Sequence, residues 1–144
     1  MKIRKAEKRD LRAIAKIYRQ VYSEKPYNEK WPDKYLITRI NEIFHQMKSY
    51  VAEIKGQIVG FIFFYDYMWA KGRRGYISDL GVINKFRGMG IATKLMKKAE
   101  DILKKRGVER IKLNVYTDAT SALRLYQKLE YKKTREVKME KRLK

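Results

Sequence analysis

One junction constrains this chain more than any other. In NKFRGMGIATKLMKKAE, Asn84 to Glu100, the apolar strand GYISDLGV passes through two glycines into a helix. From Gly90 to Arg106, Ile91, Ala92, Leu95, Met96, Ala99, Ile102 and Leu103 form one stripe, and Lys94, Lys97, Lys98, Lys104 and Lys105 face away from it. Gly107 is placed to end the helix. A further strand, ERIKLNVY, follows. Two strands flanking one helix are expected to be parallel neighbours joined by a right-handed crossover. The helix start has its own chemistry. Its first backbone N–H groups lack partners and carry partial positive charge, so the turn suits a phosphate, and glycines let the ligand come close. Neither common phosphate loop is met: GxxxxGK[ST] is absent, and Thr93 stands where GxGxxG would need its third glycine.

The remaining elements alternate without linker, repeat or low-complexity segment. MKIRKA reads as a first strand, and Asp10 is placed to cap a helix carrying Leu11, Ile14, Ala15, Tyr18, Val21 and Tyr22 on one side. Pro32 suits the first turn of a second helix to about Gln46, with Tyr35, Ile40, Ile43 and Phe44 for its buried side. YVAEI and QIVGFIFFYDY read as a hairpin, with a turn from Lys71 to Gly75 before the fourth strand. A short helix from Thr120 to Leu129 follows the fifth strand, and the tail from Tyr131 is expected to supply one or two closing strands. The sum is an α/β fold with a mixed sheet.

Composition excludes several chemistries. The 144 residues suit a single domain, 1–144, with a continuous core, and 44% of them are hydrophobic. There is no cysteine, so no thiol nucleophile, disulfide or thiolate metal site, and the lone His45 makes no metal cluster. No run of apolar residues is long enough for a membrane span, and the charged start MKIRKAEKRD is unlike a signal peptide, so a cytoplasmic protein is expected. Lys+Arg 36 against Asp+Glu 16 gives a net charge of +20. That field admits nucleic acid, anionic lipid or a phosphorylated cofactor as partner, and it equally suits a heat-adapted surface.

DLGVINKFRGMGIATKLMKKAEDILKKRG resembles the acetyl-CoA-binding core of the GNAT superfamily of N-acetyltransferases. That family's fingerprint is Q or R, two residues, G, one residue, then G or A. Arg87, Gly90 and Ala92 meet it, preceded at the usual distance by Val82. SALRLYQKLEYKK is similar to the family's later block, and the likeness runs closely from about residue 76 to residue 135. The resemblance implies a mostly antiparallel central sheet, a splayed parallel pair of strands 4 and 5, and flanking helices. It implies acetyl-CoA as acyl donor, its pyrophosphate on Arg87, Gly88, Met89, Gly90, Ile91 and Ala92, with a hydroxyl from Thr93. The pantetheine arm is expected along Leu80, Gly81 and Val82. No metal is implied.

Direct attack by an amine on the thioester needs a proton acceptor for the ammonium and a donor for the departing thiolate. By resemblance Tyr126 is the candidate acid. Asp79 is the candidate base, with Asp66, Glu53 or a water chain as alternatives. Strict alternation would put Asp79 on the same face as Ile77 and Gly81 and opposite Ser78, Leu80 and Val82, pointing away from the acyl group. Two positions depart from the family pattern: Ala119 replaces an asparagine, and Glu130 replaces the glycine before Tyr131. The acceptor, a protein or peptide N-terminus, a lysine or a small amine, is expected among Tyr27, Trp31, Tyr65, Tyr67, Trp69 and the tail. A dimer is compatible with the sequence. Two rival readings are a basic nucleic-acid-binding module and a domain that binds acyl-CoA without turning it over. The first is favoured by seven Lys or Arg after Tyr131, and neither helix-turn-helix nor zinc spacing supports it.

Overall fold

The sequence patterns resolve, in a computed structural model describing residues 1–144, into five strands and four helices. In chain order they are β1 (Lys2–Lys5), α1 (Leu11–Ser23), α2 (Asp33–Gln46), β2 (Lys48–Ile54), β3 (Gln57–Trp69), β4 (Gly72–Val82), α3 (Ile91–Lys105), β5 (Arg110–Leu113) and α4 (Thr120–Lys128). The sheet order is β1-β2-β3-β4-β5. Every pair is antiparallel except β4 and β5, which are parallel across α3 as expected. The chain divides into two compact units, Met1–Asn114 and Val115–Lys144.

The first unit has three layers. β3 is buried on both faces, which is why FIFF reads as a continuous apolar run. Phe61 and Phe63 face Ile14, Ile17, Tyr18 and Val21 of α1 and Leu36, Ile40 and Ile43 of α2, and with Val51 they make one core. Successive strand residues alternate, so Gly60, Ile62 and Phe64 face the other layer. A side chain on Gly60 would meet Leu95 of α3, and one on Gly75 would meet Leu103. The β2–β3 turn is made by Lys55 and Gly56, both at positive φ (49° and 79°), the geometry that matches strand twist in a two-residue hairpin.

Four local expectations are corrected. The β3–β4 turn is tighter than Lys71 to Gly75: β4 begins at Gly72, and Arg73, Arg74 and Gly75 already pair with β3. Tyr35 is 56% exposed, and Leu36 takes the buried position on α2. Asp10 does not cap α1 with its side chain. Its carboxylate instead accepts from the Glu7 amide at 2.7 Å and from both terminal nitrogens of Arg4 at 2.8 and 3.0 Å, closing a short 3-10 turn ahead of α1. Finally, no closing strand forms, because nothing after Lys128 is helix or strand. The apolar residues there, Val137, Met139 and Leu143, are more than four-fifths exposed, so the alternating pattern buries no apolar face to stabilise a strand.

The second unit holds α4, ended by Glu130 in the left-handed conformation at φ 69°. The Tyr131 amide reaches back to the Tyr126 carbonyl at 2.9 Å, and the Glu130 amide to that of Gln127 at 3.0 Å. This is the helix-ending geometry that favours glycine, here adopted by a residue with a side chain. The departure at Glu130 therefore keeps the turn.

Asp66 anchors the α3 side of the sheet. Its carboxylate, 3% exposed, accepts from Arg73 Nη2 at 2.9 Å and from Arg106 through Nε and Nη2. The bonds from Arg106 and then Arg73 hold the Asp66 carboxyl below its ordinary range against the opposing effect of burial. A depressed folded value stabilises above the unfolded carboxylate range, and that stabilisation is lost as pH falls through the folded value. Asp66→Asn is therefore expected to lower the melting temperature by roughly 2–6 °C at pH 7, with the gap to the parent narrowing in acid. Thermal melts from pH 7 to pH 2 check this, and a gap independent of pH would contradict it.

Candidate active site

The site begins where β4 loses a partner. Its pairing with β5 runs from Arg74↔Arg110 to Ile77↔Leu113 and stops, while β4 continues to Val82 against β3. From Ser78 onward one edge of β4 is open. The Ile83 amide donates to the Val59 carbonyl of β3 at 2.9 Å. Backbone groups alternate sides along a strand, so Gly81 and Asp79 also turn toward β3, and Leu80 and Val82 turn toward the open edge. Leu80, with both backbone groups, and Val82, with its N–H, thus offer the hydrogen-bonding groups expected to align an extended ligand. Gly81 does not. A side chain there would come within 2.6 Å of the Phe61 ring and 3.0 Å of Val21, so this glycine serves the packing of α1 and β3 rather than the approach of a cofactor.

The open edge leads through a short turn, Asn84–Phe86, to the two glycines. Gly88 and Gly90 both have positive φ, 78° and 79°, and a side chain on either would project into open space. Gly90 is the N-cap of α3 and has no side-chain cap. The first helical bond runs from the Lys94 amide to the Gly90 carbonyl at 3.1 Å, so the amides of Ile91, Ala92 and Thr93 precede the helix's own acceptors. Gly88, Met89 and Gly90 are exposed, whereas the Ile91 side chain is buried and fixes the first turn. This concave run of bare amides fits a pyrophosphate. Arg87 is engaged by the protein itself. Its Nε donates to the Val82 carbonyl at 3.1 Å and its Nη1 pairs with Glu24 at 2.9 Å, so it staples the turn to β4 and to the end of α1.

On the α1–α2 side of β4 lies the candidate base. The β3–β4 register shifts between Phe63 and Phe64, whose partners are Asp79 and Ile77. Ser78 is therefore a bulge, and Asp79 and Ile77 lie on opposite faces, not on the same face as alternation would have it. Asp79 joins Phe63 on the α1–α2 face, where it is 8% exposed. It accepts from the Tyr22 and Ser78 hydroxyls, both at 2.6 Å. Burial, then the Asp79 charge, hold the Tyr22 phenol far above its ordinary range, which keeps it a donor. Burial beside Asp79 also pushes Tyr18 up to about 12. The alternatives fare worse: Asp66 is bound by two arginines on the opposite face, and Glu53 is held by Arg4 at 2.9 Å.

Aromatic rings surround Asp79. Tyr22 packs against Tyr18 and Tyr27, Trp31 stands edge-on to Tyr18, and Tyr65 lies against Tyr67 and Tyr76. Tyr76 accepts from Asn114 at 2.6 Å. Trp69, at the hairpin tip, is half exposed and lies under Arg74. The sequence does not mark Tyr22 or Ser78 as site residues. The helical periodicity of α1 gave Tyr22 only a packing role, and the bulge that turns Asp79 toward it leaves no mark in a single sequence. Tyr126 lies on α4 in the second unit, partly buried, with its ring 6.0 Å from that of Tyr131.

Comparison with known proteins identifies the family. Residues 11–131 match the model of the acetyltransferase (GNAT) family. A curated acetyltransferase from Pectobacterium atrosepticum is 33% identical over 145 residues, covering 99% of this chain and 96% of that protein. Among solved structures, a ribosomal-protein-alanine N-acetyltransferase from Brucella melitensis superposes with TM-score 0.80 at 22% identity, covering 99% of this chain and 100% of that one. An aminoglycoside acetyltransferase from an uncultured soil metagenomic sample does so with TM-score 0.79, also at 22% identity, covering 99% and 96%. The chain belongs to the GNAT acetyltransferase family. It is an acyltransferase, and its mixed sheet with a parallel β4–β5 pair is the fold of that family.

A pair of substitutions separates the charge of the turn from its shape. Gly90→Asp and Gly90→Asn impose the same left-handed strain, about 1 kcal/mol, and similar bulk in open space. Only the first places a negative charge at the helix start. Gly90→Asp is expected to weaken coenzyme A binding by at least tenfold more than Gly90→Asn in calorimetric titration. Equal affinities in the two variants would contradict a phosphate cradle.

Proposed function

We propose that this chain transfers the acetyl group of acetyl-CoA to a primary amine by direct attack. The observation that carries the reading is the half-open edge of β4 running into the bare amides of the α3 turn. Residues 88–93 would hold the pyrophosphate through backbone N–H groups, with Arg87 keeping the turn in shape. Leu80 and Val82 would pair with the pantetheine arm, and an edge amide would polarise the thioester carbonyl as negative charge develops on its oxygen. The family model runs through both compact units, which supports treating 1–144 as one acetyltransferase domain. No helix is long and apolar enough to cross a membrane. A cytoplasmic location is a separate part of the proposal.

In the reaction the amine nitrogen forms a bond to the carbonyl carbon and the carbon–sulfur bond breaks. Asp79 takes the proton released by the ammonium. It is the only buried carboxylate on the α1–α2 face of β4, and its two hydroxyl donors fix its orientation. On the family resemblance alone, Tyr126 returns a proton to the thiolate. The two solved relatives are named for unlike acceptors, a ribosomal protein and an aminoglycoside, so the fold by itself does not choose between protein and small amine.

Asp79→Asn keeps the size and hydrogen-bonding reach of the side chain and removes the base. It is expected to lower kcat about 100-fold with little change in the KM for acetyl-CoA. Tyr126→Phe should do likewise, measured by thiol release with a panel of amines. Parent-like kcat in Asp79→Asn, in protein with an unchanged melting temperature, would remove Asp79 from the mechanism.

A further inference from the structure

The face of β4 that carries Asp79 also holds a cation that is poorly used. Arg39 of α2 places Nη2 3.6 Å from Asp79 Oδ2, beyond a good hydrogen bond. Its one hydrogen bond, from Nε to the Tyr18 hydroxyl, is 3.5 Å long. A guanidinium has five N–H donors in a rigid fork, so most of this one is uncommitted. The side chain is 34% exposed, within reach of a solute. The nearby acids do not claim it either. Glu42 lies on the same helix and acts on Arg39 only through its charge, and Glu29, near Tyr18, accepts from Trp31 Nε1 at 2.9 Å.

Other arginines of this protein show what a purely structural pairing looks like. Arg4 grips Asp10 with both terminal nitrogens, at 2.8 and 3.0 Å. Arg73 reaches Asp66 with Nε and Nη2, at 3.1 and 2.9 Å. Arg39 stands beside an equally buried carboxylate without closing on it, and Tyr22 and Ser78 donate to the two oxygens of Asp79 instead. What remains is a negative and a positive group 3.6 Å apart, ringed by tyrosines.

We infer that Arg39 binds a carboxylate of the acceptor, and that the acceptor is an amine carrying an acid group close to its nitrogen, as a free amino acid does. The inference rests on the reading of Asp79 as the place where the acceptor amine is received. An amino acid carries its ammonium and its carboxylate on a single carbon, so both reach the closely spaced Asp79 and Arg39 together, the carboxylate as a planar fork on the guanidinium. A diamine or a lysine side chain offers Arg39 nothing and meets it as a like charge. A protein N-terminus presents a neutral amide where the carboxylate would be. Arg39 is thus the specificity-determining residue of the acceptor side, and Asp79 alone handles the proton.

The test uses the full chain with acetyl-CoA, and thiol release is followed for L-amino acids, their matching carboxamides, and peptides with acidic or neutral first residues. The expected result is a kcat/KM at least tenfold higher for each free acid than for its amide, expressed in KM. Arg39→Gln should erase that preference by raising KM for the acids, and Arg39→Lys should restore part of it. Equal use of acids and amides by the parent protein overturns the inference while leaving amine acetylation intact. So does an Arg39→Gln variant that loses activity alike on both, since that marks a structural role, and so does a preference for peptides over free acids. Absence of transfer to every amine overturns the reading of the site as well.

Discussion

Past Ile77, β4 keeps its hydrogen bonds to β3 and has no strand on its other side, because β5 ends at Leu113. An open strand edge is a row of unsatisfied donors and acceptors, and proteins rarely leave one bare without a use for it. Here the edge is short, from Ser78 to Val82, and it ends in a turn whose amides are also bare. Only residues 83–87 separate the two sets, in a short turn whose Ile83, Phe86 and Arg87 amides are bonded within the protein. One extended ligand with a diphosphate at one end would satisfy both at once, which is the reason for proposing an acyl-coenzyme A there.

The arrangement depends on how β4 is held from behind. Gly81 lets Phe61 and Val21 press against the strand, and Arg87 ties the turn to the Val82 carbonyl. The bulge at Ser78 then reverses the faces of β4 part-way along. Gly75 lies against α3, whereas Asp79 and Gly81 turn to α1 and α2. A strand without the bulge would bury Asp79 against the α3 layer, beside the apolar residues that Ile77 and Gly75 meet. With it, the carboxylate sits among hydroxyls and rings close to the edge that would carry the thioester.

Much of this was legible in the sequence. The stripe from Ile91 to Leu103 gave α3 nearly to the residue, because an amphipathic helix between two glycines has few alternatives, and the helix between two strands gave the parallel β4–β5 pair. The glycine turn and its neighbours matched the family pattern, and their φ angles supply the physical reason. Non-local features were hidden. Nothing in YISDLGV says that Ser78 is skipped by the β3 ladder, so strict alternation puts Asp79 and Ile77 on one face. Gly81 looked like part of the cofactor path, and only the Phe61 ring explains it. The alternation EVKME in the tail resembled a strand, yet a strand needs a partner edge and an apolar surface, and these residues remain exposed. Arg39 carried no signal at all, since its meaning comes from the 3.6 Å that separates it from Asp79.

The central claim is that the open β4 edge and the α3 turn form one continuous binding surface for the acyl donor. Titrating 15N-labelled protein with coenzyme A and following each backbone amide by NMR tests it most directly. The account predicts saturable shifts that are largest at Leu80, Val82 and residues 88 to 93, with the turn and the strand edge titrating together at one affinity. Shifts confined to backbone amides elsewhere, such as those of Lys5, Lys48, Arg73 and Arg106 around their shared cleft, would contradict it.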